Sequence, residues 1–161
     1  MVVYYDANQV EYQLPRGEQV HWRISAYPLV FRDKKILVIK PRWSDRWELP
    51  GGGVEMGEKI NEAMVRECYE ETGYKIMAIS DIPVYIGEND FYIPTLKKFY
   101  HSIVMAFPAR LVSEVQDKHG INSGEEKDEI REVKWVPMAE LNEQNSQLMT
   151  TWPVIKKIKQ T

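Results

Sequence analysis

Cysteine is nearly absent from this chain: one residue of 161, Cys68, carries a thiol. A single cysteine excludes an intrachain disulfide framework and agrees with a reducing compartment, so a cytoplasmic location is expected. Long apolar runs are missing too. The longest, about residues 103–109, is far short of the roughly 18 residues of a membrane span, so no membrane partner is expected. The first residues, Met1-Val2-Val3-Tyr4-Tyr5-Asp6, have neither the basic stretch nor the apolar core of a secretion signal. Nor is there an excess of positive charge. Lysine and arginine number 21 against 24 acidic residues, a net of −3, where a general nucleic-acid binder is usually clearly basic. General nucleic-acid binding is therefore not expected.

What is present is ordinary for a globular protein, at 43% hydrophobic and 28% charged residues. Without a repeat, low-complexity tract or linker, the length suits one domain over residues 1–161. A chain of this size hides roughly 68–70% of its unfolded surface without staples. The charge is unevenly placed. Between Gly51 and Tyr74 stand six glutamates (55, 58, 62, 67, 70 and 71) against Lys59 and Arg66, a local net of −4, which leaves +1 on the remainder. Acidic stretches are usually solvated surface, so the spacing has to decide.

Val20, Trp22, Ile24 and Ala26 alternate with polar residues, predicting a half-buried strand that continues to Phe31. After the polar turn at residues 32–34, Ile36-Leu37-Val38-Ile39 predicts a strand covered on both faces, closing a hairpin. Residues 40–48 read as a loop, followed by Pro50-Gly51-Gly52-Gly53, which interrupts regular structure. From about 58 to 72 the period becomes helical, with Ile60, Ala63, Met64 and Cys68 on one stripe and Gly73 placed to stop it. Further strands are predicted near residues 74–79, 84–86, 98–107 and 130–136. Loops are predicted at 87–96 and 113–128, a short helix after Pro137 and a C-terminal helix from Pro153.

At about 100° per residue, Glu67, Glu70 and Glu71 occupy one side of that helix. Like charges one turn apart destabilise a helix by a few tenths of a kcal/mol, a cost that a bound divalent cation would reverse. Starting at Gly52, five residues lead to Glu58, and seven more lead to Arg66-Glu67-Cys68-Tyr69-Glu70-Glu71-Thr72-Gly73-Tyr74. This resembles the box of the Nudix (MutT-like) hydrolases, G-x5-E-x7-R-E-U-x-E-E-x-G-U with U aliphatic. All seven fixed positions match, with a chance frequency of about one in a million for the chain. The two departures, Cys68 and Tyr74, are both at U. Trp47-Glu48-Leu49-Pro50-Gly51-Gly52 before the box, and Glu129-Ile130, Trp135-Val136-Pro137 and Glu140-Leu141 after it, extend the resemblance over residues 26–141. Residues 1–19 and 142–161 match nothing diagnostic.

The resemblance implies an α/β fold, a Nudix-type α/β/α sandwich around a mixed β-sheet. It implies hydrolysis of a phosphoanhydride bond in a nucleoside diphosphate derivative with Mg²⁺, or alternatively Mn²⁺. On that basis Glu67 and Glu71 are expected as principal metal ligands. Glu70 is expected as a ligand or the group that positions the attacking water, and the Gly51 carbonyl as a further ligand. Glu58 would support the metal and Arg66 would orient a carboxylate. The general base is expected to be a box glutamate or a later one, Glu129 before Glu126, so Glu129 joins both the catalytic and the metal set. Lys40, Arg42 and Arg46 are candidates to bind phosphate. Trp22, Tyr27 and Trp43 could stack on a base, although core packing is the commoner fate of such residues. Trp47 and Trp135 read as structural, Cys68 as a buried inert thiol, and no role is expected for His21, His101 or His119. Substrate choice is expected to lie in the loops at 87–96 and 113–128. A catalytically silent sensor or interaction module on the same fold is the alternative. A homodimer exchanging residues 1–19 is compatible with the sequence.

Overall fold

The computed structural model describes residues 2–124 and 129–160. In chain order its strands are β1 (Val3–Tyr5), β2 (Glu11–Gln13), β3 (Val20–Arg32), β4 (Lys35–Pro41) and β5 (Gly52–Gly53). Helix α1 (Ile60–Thr72) follows, then β6 (Ile76–Ala78), β7 (Tyr85–Ile93), β8 (Lys98–Leu111), β9 (Ile130–Pro137), a 3₁₀ turn (Met138–Glu140) and α2 (Thr151–Lys159). Among the described residues, the strands form a mixed sheet in the order β2-β1-β7-β8-β3-β4-β9, with β5 beside β3 and β6 beside β8. The spine is the parallel pair β3–β8, in register from Val20–Phe99 to Val30–Ala109.

Alternation on the strands builds two cores. Ala26, Val30, Leu37, Phe107 and Ala109 pack on Met64 and Cys68 of α1. Leu29, Ile36, Val38, Ala106 and Val136 pack on Val154 and Ile155 of α2. The helices therefore cover opposite faces of the sheet, the expected α/β/α arrangement. Helix α1 begins at Ile60, where the Glu62 carboxylate accepts from the Lys59 backbone N–H at 3.2 Å. It ends at Gly73, whose φ of 71° is left-handed and whose N–H donates to the Tyr69 carbonyl at 2.8 Å. No helix among the described residues is long and apolar enough to cross a membrane.

The structure differs from the sequence expectation in three places. The segment predicted as a loop at residues 87–96 is mostly strand: β7 runs to Ile93, paired residue for residue with β8. Its side chains are largely polar and half-buried, so the apolar alternation that marks a strand is weak there. Strands β1 and β2 are three residues each, too short for a period to be read. Strands β3 and β4 form only the end of a hairpin, pairing at Phe31–Ile36 and Arg32–Lys35 before they diverge. Strand β4 turns to β9, and the glycines of β5 occupy the gap against Ser25 and Ala26 of β3. That divergence positions the site.

Candidate active site

Glycine is required where the chain enters the gap. Gly51 has φ 132°, a region closed to most L-residues, and a Cβ there would collide with the Ala26 carbonyl and the Tyr27 ring. Its neighbour Gly52 lies so close to α1 that a Cβ would sit 2.9 Å from the Glu67 carboxylate. The glycine loop and the acidic face of α1 are thus in contact, and the Gly51 N–H donates to Glu71 Oε2 at 2.7 Å.

Arg66 organises the outer carboxylates. Its guanidinium donates to Glu58 at 2.9 and 3.0 Å, to Glu67 at 3.0 Å, to Glu70 at 3.3 Å and to the Gly53 carbonyl at 3.3 Å. The Glu58 bonds hold that carboxyl below the usual carboxylate range and raise the arginine, so both stay charged. The Glu70 contact spans one helical turn, while the stronger hold on Glu58 comes from the turn before α1.

The inner carboxylates behave oppositely. Burial pushes Glu71 well above its ordinary range; the Gly51 N–H opposes this, while Glu67, Glu48 and Glu129 push it further up. Burial also raises Glu67, offset by Arg66. Glu48 is raised by burial to about 7, and among the described residues its buried Oε1 has no hydrogen-bond partner. Glu67, Glu48 and Glu129 thus each push on Glu71 in a partly desolvated gap, where Arg66 compensates Glu67 and the Gly51 N–H compensates Glu71. Such a set is unfavourable by itself and is the hard oxygen donor set that suits Mg²⁺ or Mn²⁺. By donor chemistry the residues suit a divalent cation, although among the described residues no three acidic, histidine or cysteine groups are gathered closely enough to hold one.

Residues 21–158 match the sequence pattern of the NUDIX domain. The chain belongs to the NUDIX family. Its relatives include a Bacillus subtilis (strain 168) protein whose name assigns it 8-oxo-dGTP diphosphatase activity. That protein is 43% identical over 61 residues, which are 37% of this chain and 41% of the relative. Mouse diphosphoinositol polyphosphate phosphohydrolase 3-alpha is 51% identical over 43 residues, 27% of this chain and 26% of the relative. The matched stretches thus span less than half of either relative. A MutT NUDIX hydrolase structure from Burkholderia pseudomallei shares the fold, with TM-score 0.58 and 20% identity over 88% of this chain and 98% of that one.

Within this NUDIX domain the expected basic residues are dispersed. Lys40 lies over the Trp47 ring at 4.3 Å. Arg46 donates to the carbonyls of Glu143 at 2.7 Å and Ser146 at 3.0 Å, tying down the segment before α2. The exposed Arg42 donates its backbone N–H to the Glu129 carbonyl at 2.8 Å, fixing the approach of Glu129 to Glu71. Glu126 lies outside the described residues. Cys68 is buried and its thiol is pushed up to about 12 by burial. Tyr74 is buried against Trp135 and accepts its Nε1–H at 3.3 Å, which accommodates the large residue at this U position.

Two residues escaped the sequence reading. Glu48 was legible as an acid between two apolar residues directly before the glycine run. Arg23 was hidden as a routine polar position on an alternating strand. It lies against Gly53, where a Cβ would sit 2.8 Å from its Nε, and its charge acts on Glu67.

Proposed function

We propose that this NUDIX domain hydrolyses the phosphoanhydride bond of a nucleoside diphosphate derivative with the aid of Mg²⁺ or Mn²⁺. The observation that carries this reading is the contact of the Gly51–Gly52 turn with Glu71 and Glu67 on the acidic face of α1, where Glu48 and Glu129 add their charge to Glu71. Glu67, Glu71, Glu129, Glu70 and the Gly51 carbonyl are the ligands offered to the cation. When bound, the cation neutralises the diphosphate, lowers the pKa of an attacking water and orients in-line displacement.

The protein supplies the rest. Arg66 holds Glu67 and Glu70 in place through its bonds to both, with Glu58 as its anchor. Glu70 retains a charge-stabilised position at the rim from which it can orient or deprotonate water, and Glu129 is the second candidate for that proton. Burial raises Glu71 well above its ordinary range and raises Glu67, and bound positive charge would oppose both shifts. The names of the relatives favour a diphosphatase or phosphohydrolase of small phosphorylated molecules.

A panel of nucleoside di- and triphosphates, nucleotide sugars, dinucleoside polyphosphates, capped RNA and diphosphoinositol phosphates, assayed with each cation, tests the reading. Hydrolysis of at least one diphosphate is expected, with Glu70→Gln and Glu71→Gln each lowering kcat by two orders of magnitude or more while the fold persists. Wild-type turnover in either variant would refute the assigned roles. Specific ligand binding with no hydrolysis of any member would instead establish the silent sensor.

A further inference from the structure

On the face of the sheet that carries α1, the helix covers only part of the floor. Its core stops at the cross-strand row Ala26–Met105–Ile86, and two rows lie beyond it, Ile24–Ile103–Glu88 and Trp22–His101–Asp90. The row after those is closed by rings from the N-terminal strands, with Tyr4 edge-on to Phe99 at 5.0 Å and Tyr12 on Tyr92 at 4.4 Å. Between helix and rings the sheet is open: Trp22 is 75% exposed, Ile86 64% and Ile24 43%. The usual order of burial on β3 is thereby inverted. Trp22 and Ile24, from the apolar side of its alternation, face solvent, while the polar Arg23 and Ser25 on the other side are half-buried and buried. Residues 54–59 border this floor on the β5 side. Val54 donates its N–H to the Ile24 carbonyl at 2.8 Å, Met56 is fully exposed, and Lys59 is exposed where α1 begins. The β7 border opposite is acidic, with exposed Glu88 next to Ile86 along the same face, and Asp90 held by His101 Nδ1 at 2.9 Å.

We propose that two copies of the chain pair through this face, about a two-fold axis between β3 and β8. At about 200 Å² for a large side chain, the exposed fractions of Trp22, Ile24, Ile86 and Met56 come to roughly 550 Å² of apolar surface. That lies at the upper end of the ~300–600 Å² of the largest patch on a typical monomer. One side of a standard interface buries about 800 Å², of which about 57%, or roughly 450 Å², is apolar. The patch therefore meets the requirement of a stable pair. A two-fold interface must also complement itself, with each contact made twice. Here the axis lays the turn at residues 54–59 of each copy on the β7 border of the other, Met56 against Ile86 and Lys59 beside Glu88. Trp22 and Ile24 occupy the centre, where an aromatic anchor contributes most. The strands of residues 1–19 close one side of the face and stay with their own chain. The proposal does not depend on the reaction catalysed.

Sedimentation equilibrium over the micromolar range tests the pairing on the full chain, with Trp22→Glu, Ile86→Glu and, away from this face, the exposed Val115→Glu. Wild type and Val115→Glu are expected at twice the chain mass. Trp22→Glu is expected to weaken association about thirtyfold or more, the scale of a central hot spot, and Ile86→Glu to weaken it as well. Both side chains are exposed, so circular dichroism should show an unchanged fold. The arrangement is read by cross-linking, because the native Cys68 is buried and leaves an introduced thiol as the reactive one. With a short bis-maleimide, a mixture of Met56→Cys and Ile86→Cys chains is expected to yield a linked dimer that neither variant yields alone. A monomeric wild type, a dimer that persists in both Trp22→Glu and Ile86→Glu, or a mixture without linked dimer would each overturn the proposal.

Discussion

Glu48 concentrates the electrostatic tension of the site in one side chain. Its pKa of about 7, against an ordinary 4.5, means that the folded protein keeps a proton that the unfolded chain releases between those values. This residue's contribution to folding is then fully present below pH 4.5 and is lost as pH rises through 7. The largest loss attributable to this residue is about 3 kcal/mol. In chelator-treated protein, urea midpoints are expected to fall between pH 5 and pH 8, and Glu48→Gln is expected to flatten that slope. An unchanged slope in the variant would assign the tension to other groups. Cys68 gives a simpler forecast: a thiol held at about 12 in the core is inert to alkylation in the native state and reacts only on unfolding. Mass spectrometry after iodoacetamide treatment, with and without denaturant, reads this directly.

At the scale of elements, the segment after β8 clamps the end of α1. Tyr69 donates its hydroxyl to Asp117 at 2.7 Å, the Asn122 N–H donates to the Glu70 carbonyl at 2.7 Å, and Gln116 donates to the Thr72 carbonyl at 2.9 Å. Carbonyls that a helix end leaves unpaired are thereby satisfied. Asn122 also brackets Ile130, accepting from its N–H at 2.8 Å and donating to its carbonyl at 3.2 Å, which fixes the start of β9 beside Glu129. Asn122→Ala is expected to lower kcat ten- to hundredfold, the scale of a misplaced catalytic group, with helical content unchanged by circular dichroism. Tyr69→Phe removes one hydrogen bond and is expected to cost about 1 kcal/mol in urea denaturation. Part of the long loop expected at residues 113–128 is therefore a built connection between the acidic helix and the last strand.

Across the whole molecule, two cores on opposite faces hold apart β3 and β4, whose divergence makes room for the glycine turn. The α2 core presses on β4 through Ile36 and Val38 and is sealed by Ile155, which is fully buried. Ile155→Ala is expected to cost about 2–4 kcal/mol from lost burial and the cavity left behind. Its kcat at low temperature should stay near wild type, since α2 contributes no side chain to the carboxylate gap. A loss of kcat parallel to the loss of stability would show that α2 also sets the width of that gap.

From β3 onward most of the strand and helix order, a helix from about residue 58, its stop at Gly73 and the box carboxylates were legible in the sequence. Each depends on local regularities: a period of two or of 3.6, a left-handed glycine, a fixed spacing of acids along one helix. Only the tertiary structure decided which carboxylates share the gap. Glu48 and Glu129 join Glu71 from segments 23 and 58 residues away in the chain, and no spacing rule brings such segments together. It likewise decided that Arg46 ties down backbone while Arg23 faces the site. Side-chain partners across strands follow from register and packing, which are settled by burying both faces of the sheet at once and leave no mark at any single position.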